Sequence, residues 1–300
     1  MSRKIIYIIN PVSGTGTKKN LQQVIEEKTK KASILYSIFP SVADGNYTFL
    51  RSIIKEEKIT DIVIAGGDGT VSSVVGSLLN ENINFGIIPC GSGNGLALTA
   101  KIPKQPAKAL DLIFKGKPSA IDGFFINKRF ACMLAGLGFD AKVAHEFAHR
   151  PKRGLMTYAQ LTLKNLVSIK PSRFKLKMEK GNLDTEAFFI SIANSNQFGN
   201  NFTIAPKASL TDGLLDIVIV TSQNKINFVL QTLKQMAGWN VLQTSSLIPQ
   251  KSGVIYFQTD KLEIINHSQA PLHIDGEPAE TPDTLEIEVK KKCFRLIQPA

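Results

Sequence analysis

Asp61-Ile62-Val63-Ile64-Ala65-Gly66-Gly67-Asp68-Gly69-Thr70-Val71 is a short apolar run that ends in a glycine-rich turn and opens a helix-like stretch, Val71–Leu79. An apolar run bounded by glycine reads as a strand buried on both faces, and such strands belong to parallel sheets covered by helices. The same order occurs twice more. Ile5–Ile9 runs into Asn10-Pro11-Val12-Ser13-Gly14-Thr15-Gly16 and then a Lys- and Glu-rich helical pattern, Thr17–Lys30. Phe85–Pro89 runs into Cys90-Gly91-Ser92-Gly93-Asn94-Gly95 and a short helix, Gly95–Ala100. Glycine lets backbone N–H groups approach an anion closely, and the N-terminus of the following helix adds partial positive charge. One such turn is as readily a tight strand-to-helix connection. Three in succession can converge on one polyphosphate.

Outward from these turns the alternation continues. Ile34–Phe39 reads as a strand, Asn46–Glu57 as a helix with Phe49, Leu50, Ile53 and Ile54 on one face, and Pro106–Lys115 as another helix. Strands separated by amphipathic helices predict an α/β fold with a doubly wound parallel sheet, in which ligands bind beyond the carboxyl ends of the strands. The pattern then changes. Ile121–Ala135 reads as a hairpin turning at Asn127-Lys128, and Gly154–Val167 as a helix. Phe174–Met178, Ala187–Ala193, Leu214–Val220, Val254–Thr259, Lys261–Ile265, Leu272–Ile274 and Leu285–Val289 read as strands, interrupted by one helix near Ile226–Trp239. Successive strands without alternating helices predict an antiparallel β-sandwich or barrel. The expected organisation is an N-terminal α/β domain over 1–117 and a C-terminal antiparallel β-domain over 118–290.

Composition narrows the class. The 300 residues carry ordinary apolar and charged content, and no apolar run approaches the roughly 20 residues that span a bilayer. Ile5–Ile9 ends in Asn-Pro with no small-residue cleavage pattern, so a cytoplasmic chain is expected. Cys90, Cys132 and Cys293 are widely spaced, and the four His residues are scattered, which suggests neither a disulfide framework nor a zinc cluster. The net charge of +11 is concentrated: Lys142–Lys180 holds ten Lys/Arg against Glu146 and Glu179, a net of +8. That stretch favours an anionic partner, and at a membrane surface each basic residue contributes about 1 kcal/mol. A solvated surface with no partner is nearly as good a reading of charge alone.

Individual motifs add chemistry. Asp68 places a carboxylate where phosphates would lie, which is unfavourable unless Mg²⁺ bridges them or the carboxylate takes a proton. Capping of the helix near Val71 is the plain alternative. No Gly-Lys-Ser/Thr follows any of the turns, so the P-loop spacing is excluded. Asp140 after Gly136-Leu137-Gly138 reads equally as a helix cap, and Asp275-Gly276 as a hairpin turn.

Taken in order, Asn10-Pro11-Val12-Ser13-Gly14, Gly66–Thr70, Pro89–Asn94, Gly136-Leu137-Gly138-Phe139-Asp140, Asp212-Gly213-Leu214-Leu215-Asp216 and Asp275-Gly276-Glu277 resemble the diacylglycerol kinase-like lipid kinases, which include bacterial lipid kinases and sphingosine kinases. The likeness spans nearly the whole chain. Gly-Gly-Asp-Gly-Thr alone is shared with NAD kinases; the ordered set is more specific. The resemblance implies an N-terminal nucleotide domain, a C-terminal β-sandwich lipid-binding domain, an ATP site in the cleft, and a return of the last strands, around Cys293–Ile297 (a segment of about 291–300), to the first domain. It implies contacts to ATP from Asn10, Pro11, Ser13, Gly14, Gly66, Gly67, Asp68, Gly69, Thr70, Ser92, Gly93 and Asn94, and from Ser41 where the family usually has Thr. Gly45-Asn46-Tyr47 departs from the family pattern.

The resemblance also assigns Glu277 as acceptor of the lipid hydroxyl proton, with Asp68 acting through Mg²⁺ or as a competing base, and Asp140 as an acidic residue facing the lipid headgroup. Asp212, with the carbonyls of Ser209 and Leu214, matches a loop that holds a structural Mg²⁺ in bacterial members. The expected activity is ATP- and Mg²⁺-dependent transfer of a γ-phosphoryl to the hydroxyl of a diacylglycerol-like membrane lipid. The protein is expected to touch an anionic membrane peripherally and to bind no nucleic acid. Oligomeric state is not legible. A soluble-substrate kinase resembling NAD kinases and a non-catalytic anionic-membrane binder are the alternatives.

Overall fold

The computed structural model of the chain describes residues 3–11, 20–150, 157, 160–162, 164–165, 168–179, 181–199, 202–221 and 253–299. Its elements are, in order, β1 (Lys4–Ile9), α1 (Leu21–Lys31), β2 (Leu35–Pro40), α2 (Leu50–Glu56), β3 (Asp61–Gly66), α3 (Asp68–Leu78), β4 (Asn84–Pro89), α4 (Gly95–Thr99), α5 (Pro106–Lys115), β5 (Lys117–Ile126), β6 (Arg129–Ala131), β7 (Leu134–Gly138) and α6 (Phe139–Ala148). There follow β8 (Ser172–Met178), β9 (Gly181–Ala193), β10 (Gln197–Gly199), β11 (Phe202–Thr203), β12 (Leu215–Thr221), β13 (Val254–Thr259), β14 (Lys261–Asn266), β15 (Leu272–Ile274), β16 (Glu277–Ala279) and β17 (Thr284–Gln298). Two compact units result: Met1–Ile121 with Lys292–Ala300, and Asp122–Lys291. The chain changes unit inside β5 and again inside β17.

The first unit is a parallel sheet ordered β2-β1-β3-β4, extended at β4 by the end of β17 through Arg295↔Asn84 and Leu296↔Phe85. Its central strands are apolar throughout because both faces are covered: Ile5, Ile6, Ile8, Ile62, Val63 and Ile64 are fully buried. Each such side chain contributes about 1.5–3 kcal/mol relative to exposure. Tyr7 is tolerated there because its hydroxyl shares a 2.7 Å hydrogen bond with Thr29 of α1. Burial pushes that phenol up to about 12. At the opposite strand ends, Arg3 grips the buried Asp61 with two guanidinium nitrogens, at 2.8 and 3.2 Å.

Two helix starts differ from the sequence reading. α2 begins at Leu50, not Asn46. Asn46 Oδ1 instead accepts the Thr48 N–H at 3.0 Å, an Asx turn that competes with helix. Only Leu50 and Ile54 of its expected apolar face are buried, and Phe49 is exposed. α3 begins at Asp68, not Val71, with Gly67 as an extended N-cap. Asp68 therefore does not cap its own helix, although a carboxylate in the first turn complements the helix dipole. α1 begins at Leu21, and Thr17–Lys19 of its expected span lie outside the described residues. So do the expected helix near Ile226–Trp239 and all but residues 157, 160–162 and 164–165 of that over Gly154–Val167; these six are helical.

In the second unit β9 changes partners along its length and so links two sets of strands. Its first half, 181–187, pairs with β8, which continues to β14 and the start of β17. Its second half lies between β7 and β12, which lead to β15–β16 and β13 respectively. Strands that pass from one sheet to another make the corners of sandwiches. Alternate residues from both sets fill one core, among them Phe174 and Leu176, Ile190 and Ile192, Ile217 and Ile219, Ile255 and Phe257, and Leu285 and Ile287. β5 and β6 form the expected hairpin, with Ile126↔Arg129 closing on Asn127-Lys128.

Candidate active site

The second and third glycine turns lie at the carboxyl ends of β3 and β4 and touch one another, and Asn10 follows β1 at the same end of the sheet; residues 12–16 of the first turn lie outside the described residues. Asn10 Nδ2 donates to Thr70 Oγ1 at 2.8 Å, tying the end of β1 to the second turn. The second and third meet backbone to backbone: a Cβ on Gly91 would lie 2.5 Å from Gly67 Cα, so neither position has room for a side chain against the other. The Cys90 N–H donates to the Gly66 carbonyl at 2.9 Å in the same place. Asp68 then reaches across. Its two carboxylate oxygens accept the Gly95 and Leu96 N–H groups of α4 at 3.0 and 3.2 Å.

Asn94 adopts a left-handed conformation (φ 56°) and folds the third turn on itself, accepting the Gly91 N–H at 2.8 Å and donating to the Gly91 carbonyl at 2.7 Å. Ser41, at the end of β2, donates its N–H to the Ile9 carbonyl at 2.9 Å. The structure thus brings Asn10, Ser41, Gly66–Thr70 and Ser92–Asn94 to one end of one sheet. Pro11 is an exposed turn residue, and Ser13 and Gly14 lie outside the described residues. The amides of Gly69 and Thr70 open α3, where no carbonyl of their own helix can accept them.

The other acidic candidates belong to the second unit. Asp275 and Gly276 both have positive φ (49° and 80°) and make a two-residue hairpin between β15 and β16, with Ile274↔Glu277 the closing pair. A non-glycine residue holds that conformation at some cost. Here the buried Asp275 carboxylate accepts three backbone N–H groups, from Cys132 and Met133 at 3.0 Å and Leu134 at 2.8 Å. Sequence reasoning passed over Asp275, because an Asp-Gly pair reads as a turn whether or not its carboxylate has a second task. Glu277 is exposed at the start of β16.

Asp140 sits in the first turn of α6, whose N-cap is Gly138 (φ 92°). It is 6% exposed, accepts the Ala141 N–H at 2.8 Å with Oδ1, and faces His273 Nε2 at 3.3 Å with Oδ2. His273 was not singled out from sequence, since no spacing links it to Asp140.

Ser209, Asp212 and Leu214 form a turn before β12. Asp212 Oδ1 accepts the Leu214 N–H at 3.0 Å, and the Gly213 N–H donates to the buried Asp122 at 2.7 Å. Two residues into β12, Asp216 is fully buried and accepts hydrogen bonds from the Tyr256 hydroxyl and from Gln258 Nε2. Burial pushes the Asp216 carboxyl up, against the pull of those donors; Tyr256 is raised as well, by burial and then by Asp216. Among the described residues no three His, Cys, Asp or Glu side chains are gathered as a metal cage. The basic excess of Lys142–Lys180 is partly matched by acids, since Arg173 pairs with Glu186 at 2.9 Å, Lys177 with Glu263 at 2.8 Å, and Lys164 lies 3.8 Å from Glu146. Lys152, Arg153 and Lys180 lie outside the described residues. No helix among those described is long and apolar enough to cross a membrane.

Glycine turns after β3 and β4 of a parallel sheet, followed by an antiparallel sandwich with an Asp-Gly-Glu hairpin, form an arrangement that matches a known kinase family. Residues 4–126 match the diacylglycerol kinase catalytic domain, and residues 134–298 match the YegS C-terminal NAD kinase beta sandwich-like domain. The chain belongs to the diacylglycerol kinase-like lipid kinase family. It is 26% identical over 280 residues to a Bacillus subtilis protein named diacylglycerol kinase, covering 91% of this chain and 89% of that one. A protein of Enterobacter sp. (strain 638) named "Probable lipid kinase YegS-like" is 29% identical over 229 residues, 73% of this chain and 72% of its own. The fold also matches a crystal structure titled as a diacylglycerol kinase from Bacillus anthracis str. Sterne, with a TM-score of 0.74 and 21% identity over 99% of this chain and 97% of that one.

Proposed function

We propose that the protein uses ATP with Mg²⁺ to phosphorylate the hydroxyl of a diacylglycerol-like lipid. The observation that carries this reading is the mutual contact at the carboxyl ends of β1, β3 and β4: Asn10 to Thr70, Gly67 to Gly91 and Asp68 to α4. Turns held together in this way present helix-start amides toward one anion, as a triphosphate requires. Little covalent chemistry falls to the protein in phosphoryl transfer, so positioning and electrostatics supply the acceleration.

Magnesium fits the first unit without a protein cage, because Mg²⁺ carried by a nucleotide takes one or two carboxylates with phosphate oxygens and waters. The carboxylate that would hold it is Asp68, in the first turn of α3 at the carboxyl end of β3. Bound beside Asp68, the ion would offset the charge of the phosphates. Asp212, with the Ser209 and Leu214 carbonyls, is the second candidate for a divalent ion. Glu277 is the proton acceptor in this reading: an exposed carboxylate beside a rigid hairpin can take the proton of an approaching alcohol as attack proceeds.

The test is a screen of acceptors in mixed micelles with γ-labelled ATP, including diacylglycerol, phosphatidylglycerol, a sphingoid base, a polyprenol and, as a soluble control, NAD. Label entering one of the lipids, and its loss in Asp68→Ala with an unchanged circular dichroism spectrum, is expected. Label entering NAD alone refutes the lipid reading, and near-normal turnover by Asp68→Ala refutes the assigned phosphate site. Binding of anionic vesicles without ATP consumption on any acceptor refutes the kinase reading as a whole.

A further inference from the structure

His273 occupies a strand position that a hydrophobic residue would ordinarily fill, and its surroundings are built for an imidazole. Its cross-strand partner in β7 is Gly136. A Cβ on Gly136 would lie 1.9 Å from Asp140 Oδ2 and 2.6 Å from His273 Nε2, so the glycine leaves the space in which the two side chains meet. Both are buried, at 2% and 6% exposure. α6 is fastened to the same strand a second time, where His145 Nε2–H donates to the Leu272 carbonyl at 2.7 Å.

The other ring nitrogen looks toward the hairpin. The Gly276 N–H donates to His273 Nδ1 at 3.3 Å. A backbone N–H can only donate, so Nδ1 carries the lone pair and the ring proton sits on Nε2, where Asp140 Oδ2 accepts it at 3.3 Å. Gly276 (φ 80°) is the second residue of the turn and immediately precedes Glu277. The turn is therefore held at both of its residues: Asp275 by three amides of the 132–134 segment, and Gly276 by the imidazole.

We propose that Asp140 and His273 form a buried positioning pair, in which Asp140 fixes the Nε2–H tautomer of His273 and His273 Nδ1 fixes the Gly276 amide, so that the hairpin presents Glu277 in one orientation. The inference rests on the reading of Glu277 as the proton acceptor and extends it to Asp140 and His273, which act on Glu277 through the hairpin.

The isosteric variants separate the two halves of the pair. In His273→Asn the side-chain oxygen falls near the place of Nδ1 and keeps an acceptor for the Gly276 amide. In His273→Gln the amide reaches the place of Nε2, keeps a donor toward Asp140 and leaves Gly276 unpaired. With the best lipid acceptor, His273→Gln should lower kcat on the order of 10²-fold with KM for ATP unchanged, the scale of a misplaced catalytic group. His273→Asn should stay within about threefold of wild type. Thermal melts of both variants accompany the kinetics, and a kcat split between two variants of equal melting temperature is not a folding effect. Nitrogen-15 spectra of the His273 ring near neutral pH should show a protonated Nε2 and a bare Nδ1, whether or not the enzyme is turning over.

Equal loss in Asn and Gln with an active wild type, or the opposite tautomer, overturns the positioning role alone. A wild type that phosphorylates no acceptor overturns the reading of Glu277 and the positioning role with it.

Discussion

In the glycine turns of the first unit backbone meets backbone, whereas in the hairpin of the second unit side chains gather backbone. Gly67 and Gly91 approach so closely that a Cβ on the latter would lie 2.5 Å from the former's Cα, and the side chains nearby act as straps from turn to turn. At the hairpin a buried carboxylate, Asp275, takes up three amides, and an imidazole holds a fourth. The difference is one of what each presents. Glycine turns at helix starts turn amides toward an anion, while the hairpin spends its nearby amides internally and sets a carboxylate, Glu277, at the surface. A phosphate receptor and a proton acceptor call for these opposite arrangements.

Substitutions can break that contrast. The largest effect is expected at Glu277. Glu277→Gln should lower kcat by about 10²–10⁴-fold, the usual contribution of a positioned base, with little change in melting temperature. Turnover close to wild type would show that Glu277 is not the acceptor. Asp275→Asn should do the reverse and act first on stability. Replacing one charged acceptor of three amides by a neutral amide should cost about 3 kcal/mol in urea unfolding, since hydrogen bonds to a buried charge are worth more than neutral ones. A loss below about 0.5 kcal/mol, the level of a surface change, would mean that Asp275 does not hold the hairpin.

A smaller effect sharpens the contrast at a carboxylate with no assigned chemistry. Asp216 has its folded pKa raised by burial, so the folded chain holds this proton more tightly than the unfolded one. Its contribution therefore favours folding below the unfolded carboxylate range, near pH 4, and is lost as pH rises through the raised folded value. Asp216→Asn should remove that slope, so that the melting temperature of the variant gains on wild type as pH rises from 4 toward 7. Parallel melting curves across that window would show that Asp216 carries no such penalty.

Much of the fold was legible because it is written in local pattern. Apolar runs of strand length located β1, β3 and β4, and α5 and β13 fall at the residues expected from sequence. The parallel-then-antiparallel division followed from whether helices intervene. Helix starts were less legible: Asn46 and Thr48 satisfy each other in a turn that periodicity does not register. At the site, residues in contiguous glycine motifs could be read, whereas the contacts that give them their tasks could not. Asp68 reaches Gly95 and Leu96, and His273 reaches Asp140, across separations that no short motif encodes. Gly136 was visible only as part of a glycine-rich strand end, yet its missing side chain is what admits that last pair.

ATP affinity at the place where two glycine turns touch tests the central claim most directly. Gly91→Ala would set a Cβ against the Gly67 backbone and pry the turns apart while leaving Asp68, Glu277 and the hairpin unchanged in sequence. Titration calorimetry with Mg·ATP should find binding to the wild type and a loss of on the order of 10-fold or more in the variant, each tenfold being about 1.4 kcal/mol. Equal affinity in the two proteins, with both folded, would contradict the account.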